Sequence, residues 1–261
     1  MGTIFECQNV SKAYGGLMAV KDLSFSVSQG DIFAIAGPNG AGKTTLFDII
    51  TGVSSITTGV IRFEGQEIQR LPPDRICRLG IVRTFQTTTG FDTQTVLTNA
   101  LVGATLGREG TGRPSIRFSD EAVEAALDAL ELCGMLHLQG QPTGKLPVFD
   151  RKRLMMATAM ATQPKLLLLD EPVGGLNRTE RDAMVDLIRN VQQSGVTVLL
   201  IEHIMKAVQA LANRLLILHH GQKVAEGPPA EVLRDDRVIE IYLGRAARQT
   251  AAVAGGGHVD A

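Results

Sequence analysis

Apolar positions along the 261-residue chain fall into three stretches with different rhythms. In the first, Ile4 to Val10 and Leu23 to Val27 alternate loosely, as strands do, with a Gly15-Gly16 turn between them. Asp31 to Ala36 is a short apolar strand that runs into a glycine-rich turn, and Lys43 to Thr51 then reads as a helix. Val60 to Phe63 and Ile81 to Phe85 are further strands, with Pro72-Pro73 breaking the segment between them. The second stretch, about residues 87–162, is mostly helical. Thr95 to Leu106 is a helix and Gly107 to Arg117 a loop. Ser119 is placed as an N-cap, with Asp120 and Glu121 in the first turn and apolar residues at helical spacing to Leu132. Asp150 to Thr162 is a Met- and Ala-rich helix ended by Pro164. Alternation returns in the third stretch: a fully apolar strand at Leu166 to Leu169, a helix from about Thr179 to Gln193, a strand at Val196 to Ile201, a helix near Ile204 to Leu211 and a strand near Leu215 to His219. No internal repeat is present. Strand–helix alternation of this kind predicts an α/β fold with a right-handed, mainly parallel sheet, an antiparallel N-terminal β region and an inserted helical subdomain. The Ala/Gly-rich tail, residues 246–261, is expected to be disordered and residues 1–245 to form the folded unit.

Composition narrows the function. Twenty-six basic residues nearly cancel 27 acidic ones, for a net charge of −1, which argues against a nucleic-acid partner. Two Tyr, nine Phe and no Trp make base-stacking platforms a poor expectation. Cys7, Cys77 and Cys133 are far apart, show no metal-ligand spacing and read as buried or free thiols of a reducing compartment. No basic segment followed by an apolar run marks a signal peptide, and the longest apolar runs are strand-length. The expectation is a soluble chain that acts at a membrane, if at all, from the surface.

Gly37-Pro38-Asn39-Gly40-Ala41-Gly42-Lys43-Thr44 fits G-x-x-x-x-G-K-[ST] in full, after a strand and before a helix. Glycines let backbone N–H groups face phosphates, and the helix N-terminus adds its positive end. Lys43 is expected on the β- and γ-phosphates and the Thr44 hydroxyl on Mg²⁺, with Thr45 counted in the same nucleotide set. The strand Leu166 to Leu169 ends in Asp170-Glu171. Alone, these are an ordinary strand end with solvated acids. Beside a phosphate loop, Asp170 is placed on the Mg²⁺ shell at the sheet's C-terminal edge and Glu171 as the base that polarises the attacking water.

With these two elements the chain resembles the nucleotide-binding subunit of an ABC transporter, over residues 4–244. The resemblance implies further roles. Tyr14, in Lys12-Ala13-Tyr14-Gly15-Gly16, matches the aromatic that stacks on adenine. Gln86, in Arg83-Thr84-Phe85-Gln86, matches the loop glutamine that contacts Mg²⁺ or water and senses the membrane subunit. Gly175-Leu176-Asn177 matches the dimer-contact loop, though its last residue is often Asp, and His203 matches the switch histidine at the γ-phosphate. Arg83 to Gln86, Glu171 to Asn177, Ile201 to Lys206 and the ending Ile241 to Gly244 resemble ATPase subunits of branched-chain amino acid importers. In that family two ATPases pair beneath two membrane permease subunits fed by a periplasmic binding protein. The implied place of work is the cytoplasmic face of the inner membrane, and residues near Gln86 to Thr98 would line the groove for the membrane subunit's coupling helix. Related members serve urea, amides or other small polar solutes. A lipopolysaccharide-exporter-like ATPase and a nucleotide-holding subunit with little turnover are the alternatives. A non-transport ATPase would carry two cassettes or long coiled coils, and a GTPase an Asn-Lys-x-Asp motif; neither is in the sequence.

The sequence departs from the family at its signature. Where Leu-Ser-Gly-Gly-Gln is expected stands Leu146-Pro147-Val148-Phe149-Asp150. In the family this segment closes over ATP held by the opposite subunit. Pro147 has neither hydroxyl nor N–H, Phe149 is bulky where backbone must approach, and Asp150, read as the N-cap, adds a negative charge. At about 4 Å and an effective dielectric near 20, such a repulsion is on the order of 4 kcal/mol. The expectation is a heterodimer with one efficient site. Ile204 is a second departure, since many relatives carry Asp after the switch histidine. Arg151-Lys152-Arg153 reads as a solvated basic face, with phosphate or partner contact as the alternative, and His219-His220 as structural or solvated.

Overall fold

The computed structural model describes residues 2–85, 90–107 and 118–242. In chain order the first elements are β1 (Thr3–Tyr14), β2 (Leu17–Ser28), β3 (Ile32–Ala36), α1 (Lys43–Ile50), β4 (Thr58–Phe63), β5 (Gln66–Glu67), α2 (Pro73–Leu79) and β6 (Ile81–Arg83). Three longer helices follow, α3 (Val96–Leu106), α4 (Asp120–Leu132) and α5 (Val148–Met160). The last part holds β7 (Leu166–Asp170), α6 (Arg178–Gln193), β8 (Thr197–Ile201), α7 (Met205–Leu211), β9 (Arg214–His219), β10 (Gln222–Gly227) and α8 (Pro229–Val232), and residues 236–242 are again helical.

Two sheets result. The first is antiparallel, in the order β2-β1-β4-β5; the second runs β10-β9-β3-β8-β7-β6 and is parallel except for the β9–β10 edge. The uninterrupted apolar strands are buried on both faces, and the period of two divides them between cores. Leu166, Leu168, Leu199 and Ile201 pack with α1 and the antiparallel sheet, while Leu167, Leu169, Val198 and Leu200 pack toward α3 to α6. On β9, Leu216 and Leu218 join the first core, while Leu215 and Ile217 face a third, smaller one. The parallel strands therefore open their C-terminal ends on one edge of the sheet, where α1 begins and where Asp170 and Ile201 end.

Most predicted elements are present, with strands longer than periodicity suggested at the N-terminal hairpin and shorter at β6. Thr95 and Ser119 are N-caps, accepting from Thr98 N at 3.1 Å and Ala122 N at 3.3 Å. Absent from the sequence reading were β5, α2, β10, α8 and the helical residues 236–242. The strand β10, Gln-Lys-Val-Ala-Glu-Gly, is an edge strand whose pairing comes from β9 rather than from its own pattern. The expected tail and most of the Gly107 to Arg117 loop lie outside the described residues.

Candidate functional site

The glycines of the phosphate loop are required first by the protein itself. A Cβ on Gly37 would stand 2.0 Å from the Leu218 carbonyl oxygen, and one on Gly42 (φ +102°) 2.3 Å from that of Ala19. The loop is thus wedged between β2 and the β9–β10 turn, where Gly221 N also donates to Ala41 O at 2.9 Å. Gly42 is the N-cap of α1, without a side-chain cap and without an acid in the first turn, so the helix offers an uncapped positive end. The Lys43 ammonium lies inside the loop, donating to Gly37 O at 2.8 Å and Pro38 O at 3.0 Å. Pro38, Asn39, Gly40 and Ala41 complete the turn, and Thr44 and Thr45 form the start of α1. Tyr14 closes β1 on the hairpin whose Ala19 touches Gly42. The residue is 48% exposed, its hydroxyl is 3.3 Å from Ser54 Oγ, and the Lys12 ammonium stands 4.7 Å from its ring centroid.

Asp170, at the end of β7, is 8% exposed. Its Oδ2 accepts from Arg83 Nη2 at 2.9 Å, while Arg83 Nη1 donates to Asp48 Oδ1 at 2.6 Å. The guanidinium stands 5.4 Å from the Phe47 ring and 5.0 Å from the Phe85 ring, and its buried Nε has no partner. One cation therefore joins β6, α1 and β7 at the candidate metal carboxylate. Glu171 follows in the left-handed region at φ +50°, an uncommon state for a non-glycine residue that the surrounding bonds must hold. Its N–H donates to Ile201 O at 3.0 Å, and its Oε1 is 3.5 Å from His203 Nδ1.

Sequence reasoning missed two residues behind this pair. Glu202 is fully buried. Its Oε2 accepts from His203 N at 2.8 Å and Ile204 N at 2.9 Å, and its Oε1 from Val173 N at 3.3 Å. One carboxylate thereby ties the loop after Glu171 to the loop bearing His203 and takes up the backbone N–H groups of His203 and Ile204. Lys152 of α5 donates to Glu171 O and Pro172 O, each at 3.1 Å. Burial pushes its ammonium below the usual lysine range, opposed by Glu202 and Glu171. A glutamate before a histidine, and a lysine in a basic run, carried no signal by themselves.

Two expectations are corrected. Asp150 is not the N-cap of α5. Pro147 is, since a proline with no N–H to lose can hold the extended φ −62°, ψ 162° that precedes the first turn. Asp150 lies inside that turn and pairs with Arg153 Nη1 at 3.4 Å, so its charge is partly offset. The basic run is not a solvated face: besides Lys152, Arg151 donates to Leu146 O at 3.0 Å and Gly144 O at 2.8 Å, and Arg153 to Cys133 O at 3.0 Å and to Gly134 O. Asn177 is the N-cap of α6 in a full capping box, accepting from Glu180 N at 3.0 Å while Glu180 accepts from Asn177 N at 2.9 Å. Gln86 lies outside the described residues. Cys7 and Cys133 are buried and Cys77 half-buried; burial pushes the Cys133 thiol up to about 12.

Among the described residues no cluster of three or more His, Cys, Asp or Glu side chains could hold a metal ion. A nucleotide-borne Mg²⁺, which needs only one or two hard protein oxygens, would still be accommodated. Thr44 and Asp170 supply such hard oxygens. No helix among the described residues is long and apolar enough to cross a membrane.

Comparison with known proteins bears on the family and the fold. Residues 20–174 match the ABC transporter family, and residues 222–248 match a family described as branched-chain amino acid ATP-binding cassette transporter. The chain is 38% identical over 251 residues, 93% of its length and 98% of the relative's, to the high-affinity branched-chain amino acid transport ATP-binding protein BraF of Pseudomonas aeruginosa. It is 38% identical to LivG of Escherichia coli, a protein of the same description, over 89% of this chain and 94% of that one. A crystal structure of the ADP conformation of an ABC transporter's ATP-binding cassette superposes with a TM-score of 0.86 at 33% identity, covering 94% of this chain and all of the other. A nucleotide-free cassette superposes at 0.84 and 32% identity, covering 92% and 99%. The chain belongs to the ATP-binding subunits of the ABC transporter family.

Proposed function

We propose that this chain is the ATP-hydrolysing subunit of an importer for branched-chain amino acids or a related small polar solute. The observation that carries the chemistry is the Glu171–His203 pair, 3.5 Å apart at the strand ends beside the phosphate loop. The loop amides and Lys43 bind and orient the phosphates. Tyr14 offers a face for the adenine. Glu171 takes the proton of the attacking water and His203 stands where charge develops on the γ-phosphate. Thr44 and Asp170 would hold Mg²⁺, with Gln86 as the third expected contact. When bound, the metal neutralises charge on the phosphate oxygens. The substrate class rests on the 38% identity to BraF and LivG and on the match of residues 222–248.

The partners are two membrane permeases, a second and different ATPase, and a periplasmic binding protein that delivers the solute. The work is done at the cytoplasmic face of the membrane. A cavity of about 240 Å³, lined among others by Phe85, Phe91, Val102, Leu154, Met155 and Thr158, supports a groove for an apolar segment of the permease. The unequal pairing follows from α5. Its N-terminus presents Pro147, with no N–H and no side-chain oxygen, and an exposed Val148, with the Asp150 carboxylate in the first turn. That end is a poor receptor for a partner's γ-phosphate, whereas this chain's own phosphate loop and Glu171 are complete.

The test is reconstitution with the neighbouring ATPase, permeases and binding protein. Hydrolysis stimulated by a branched-chain amino acid, with little turnover by the purified chain alone, is the expected result. Vigorous turnover by the chain alone as a homodimer would overturn the unequal pairing, and stimulation by an unrelated solute would overturn the substrate class.

A further inference from the structure

Glu171 is held from two sides, and one side is this chain's own α5. That helix belongs with α3 and α4, whereas Glu171 follows β7 of the central sheet. Methionines line the seam between them. A void of about 10 Å³ lies among Met155, Met156, Met184, Thr84, Asp170 and Pro172. Methionines fill irregular space without fixing a register, and a void of that size is at the lower limit for one water. Lys152 makes a directional contact across the seam: its ammonium donates to Glu171 O and Pro172 O, both at 3.1 Å. Glu171 O also accepts from Gly174 N at 3.1 Å, so the Lys152 contact falls on the carbonyl of the residue that carries the left-handed φ of +50°. Burial lowers the Lys152 ammonium's pKa, and the carboxylates of Glu202 and Glu171 oppose that lowering.

We infer that Lys152 is a positioning residue for hydrolysis: it fixes the Glu171–Pro172 peptide to α5, so that the readiness of Glu171 depends on where this chain's own helical layer stands. This rests on the reading of Glu171 as the base. It gives α5 a duty toward its own chain's site that is independent of its poor N-terminal end.

Two readouts separate this inference from that reading. In the reconstituted complex, Lys152→Met keeps the length and removes the donor. It is expected to lower kcat about 10- to 100-fold, the effect of misplacing a reacting group by about 1 Å, with KM for ATP within about twofold, and Lys152→Arg is expected to restore most of the rate. In the full chain alone, hydrogen–deuterium exchange of peptides covering residues 171–176 is expected to quicken in Lys152→Met while residues 37–46 do not change, whatever role Glu171 has. If kcat is unaltered, or if KM rises in step and Lys152→Arg does not rescue, the inference is overturned. Faster exchange at 171–176 in a complex that Glu171→Gln leaves fully active would keep the tether and discard Glu171 as base, and with it the effect on hydrolysis.

Discussion

The two ends of this molecule that a nucleotide sandwich would use differ sharply in how they are built. At the strand ends, the groups that would meet ATP are braced by others: Lys43 by loop carbonyls, Asp170 by Arg83, and the backbone around Glu171 and His203 by Ile201, Lys152 and Glu202. At the start of α5 the same kinds of bond point inward. Arg151 and Arg153 clamp carbonyls of the preceding segments, Phe149 lies 5.3 Å from the Arg153 guanidinium, and Asp150 answers Arg153. The helix tip is a well-made structural corner, but it offers a ligand no hydroxyl at Pro147 and no N–H there. Preorganised donors stabilise charge only when aimed at it. One end of the chain is therefore built for phosphate and the other for its own backbone.

The largest effect that bears on this contrast is removal of the base. In the reconstituted complex Glu171→Gln should lower ATP hydrolysis by about 10²- to 10⁴-fold, the range of a positioned general base, as measured by phosphate release. Activity near wild type would place the working site in the partner and reverse the comparison. Next in size is repair of the weak end. Pro147→Ser with Asp150→Gln returns a hydroxyl and an N–H and removes a charge, while Phe149, packed against the core, is left in place. Added to Glu171→Gln, this pair should raise the residual turnover about tenfold, close to the effect of one charge-assisted hydrogen bond to the transition state. No rise would mean that the tip of α5 is not what limits the second site.

A smaller effect probes what holds the strong end together. Glu202→Gln keeps the shape but presents an NH₂ where a carboxylate accepts three backbone N–H groups. Leaving one such amide unpaired in a buried place should cost about 2–3 kcal/mol of stability, read by urea unfolding of the full chain. A change below about 0.5 kcal/mol would show that the two loops are held without it.

The fold and the centre of the site were legible because they are local and repetitive. The phosphate loop is eight consecutive residues between a strand and a helix, and Leu166 to Glu171 announces both a strand buried on two faces and its acidic end. The rest was illegible for physical reasons. Arg83, Lys152 and Glu202 act across 87, 19 and 29 positions of sequence, and each is a common residue type whose partner is a backbone group or a distant acid. β10 owes its existence to its pairing with β9 more than to pattern. The Arg151–Arg153 run was misread for a related reason: charge density alone does not show whether long side chains reach solvent or fold back onto carbonyls.

Asn177 offers the finest test of the comparison, because two explanations of one residue make opposite forecasts. It sits at the end of the loop that begins with Glu171, in the dimer-contact position of the family, and it also caps α6 through Glu180. If its duty is the cap, Asn177→Asp should leave stability and turnover nearly unchanged, since both residues are strong caps. Asn177→Ala should then cost about 1 kcal/mol with turnover falling only as the folded fraction falls. If the side chain instead meets the second ATPase, both variants should alter turnover in the complex, while the isolated chain would lose stability only in Asn177→Ala. The capping box argues for the first outcome. Both Asn177 side-chain and backbone groups are already engaged with Glu180, at 3.0 and 2.9 Å, so a partner would have to compete with a bond the chain makes for itself. Unfolding of the isolated chain and hydrolysis by the assembled complex, measured on the same two variants, separate the cases.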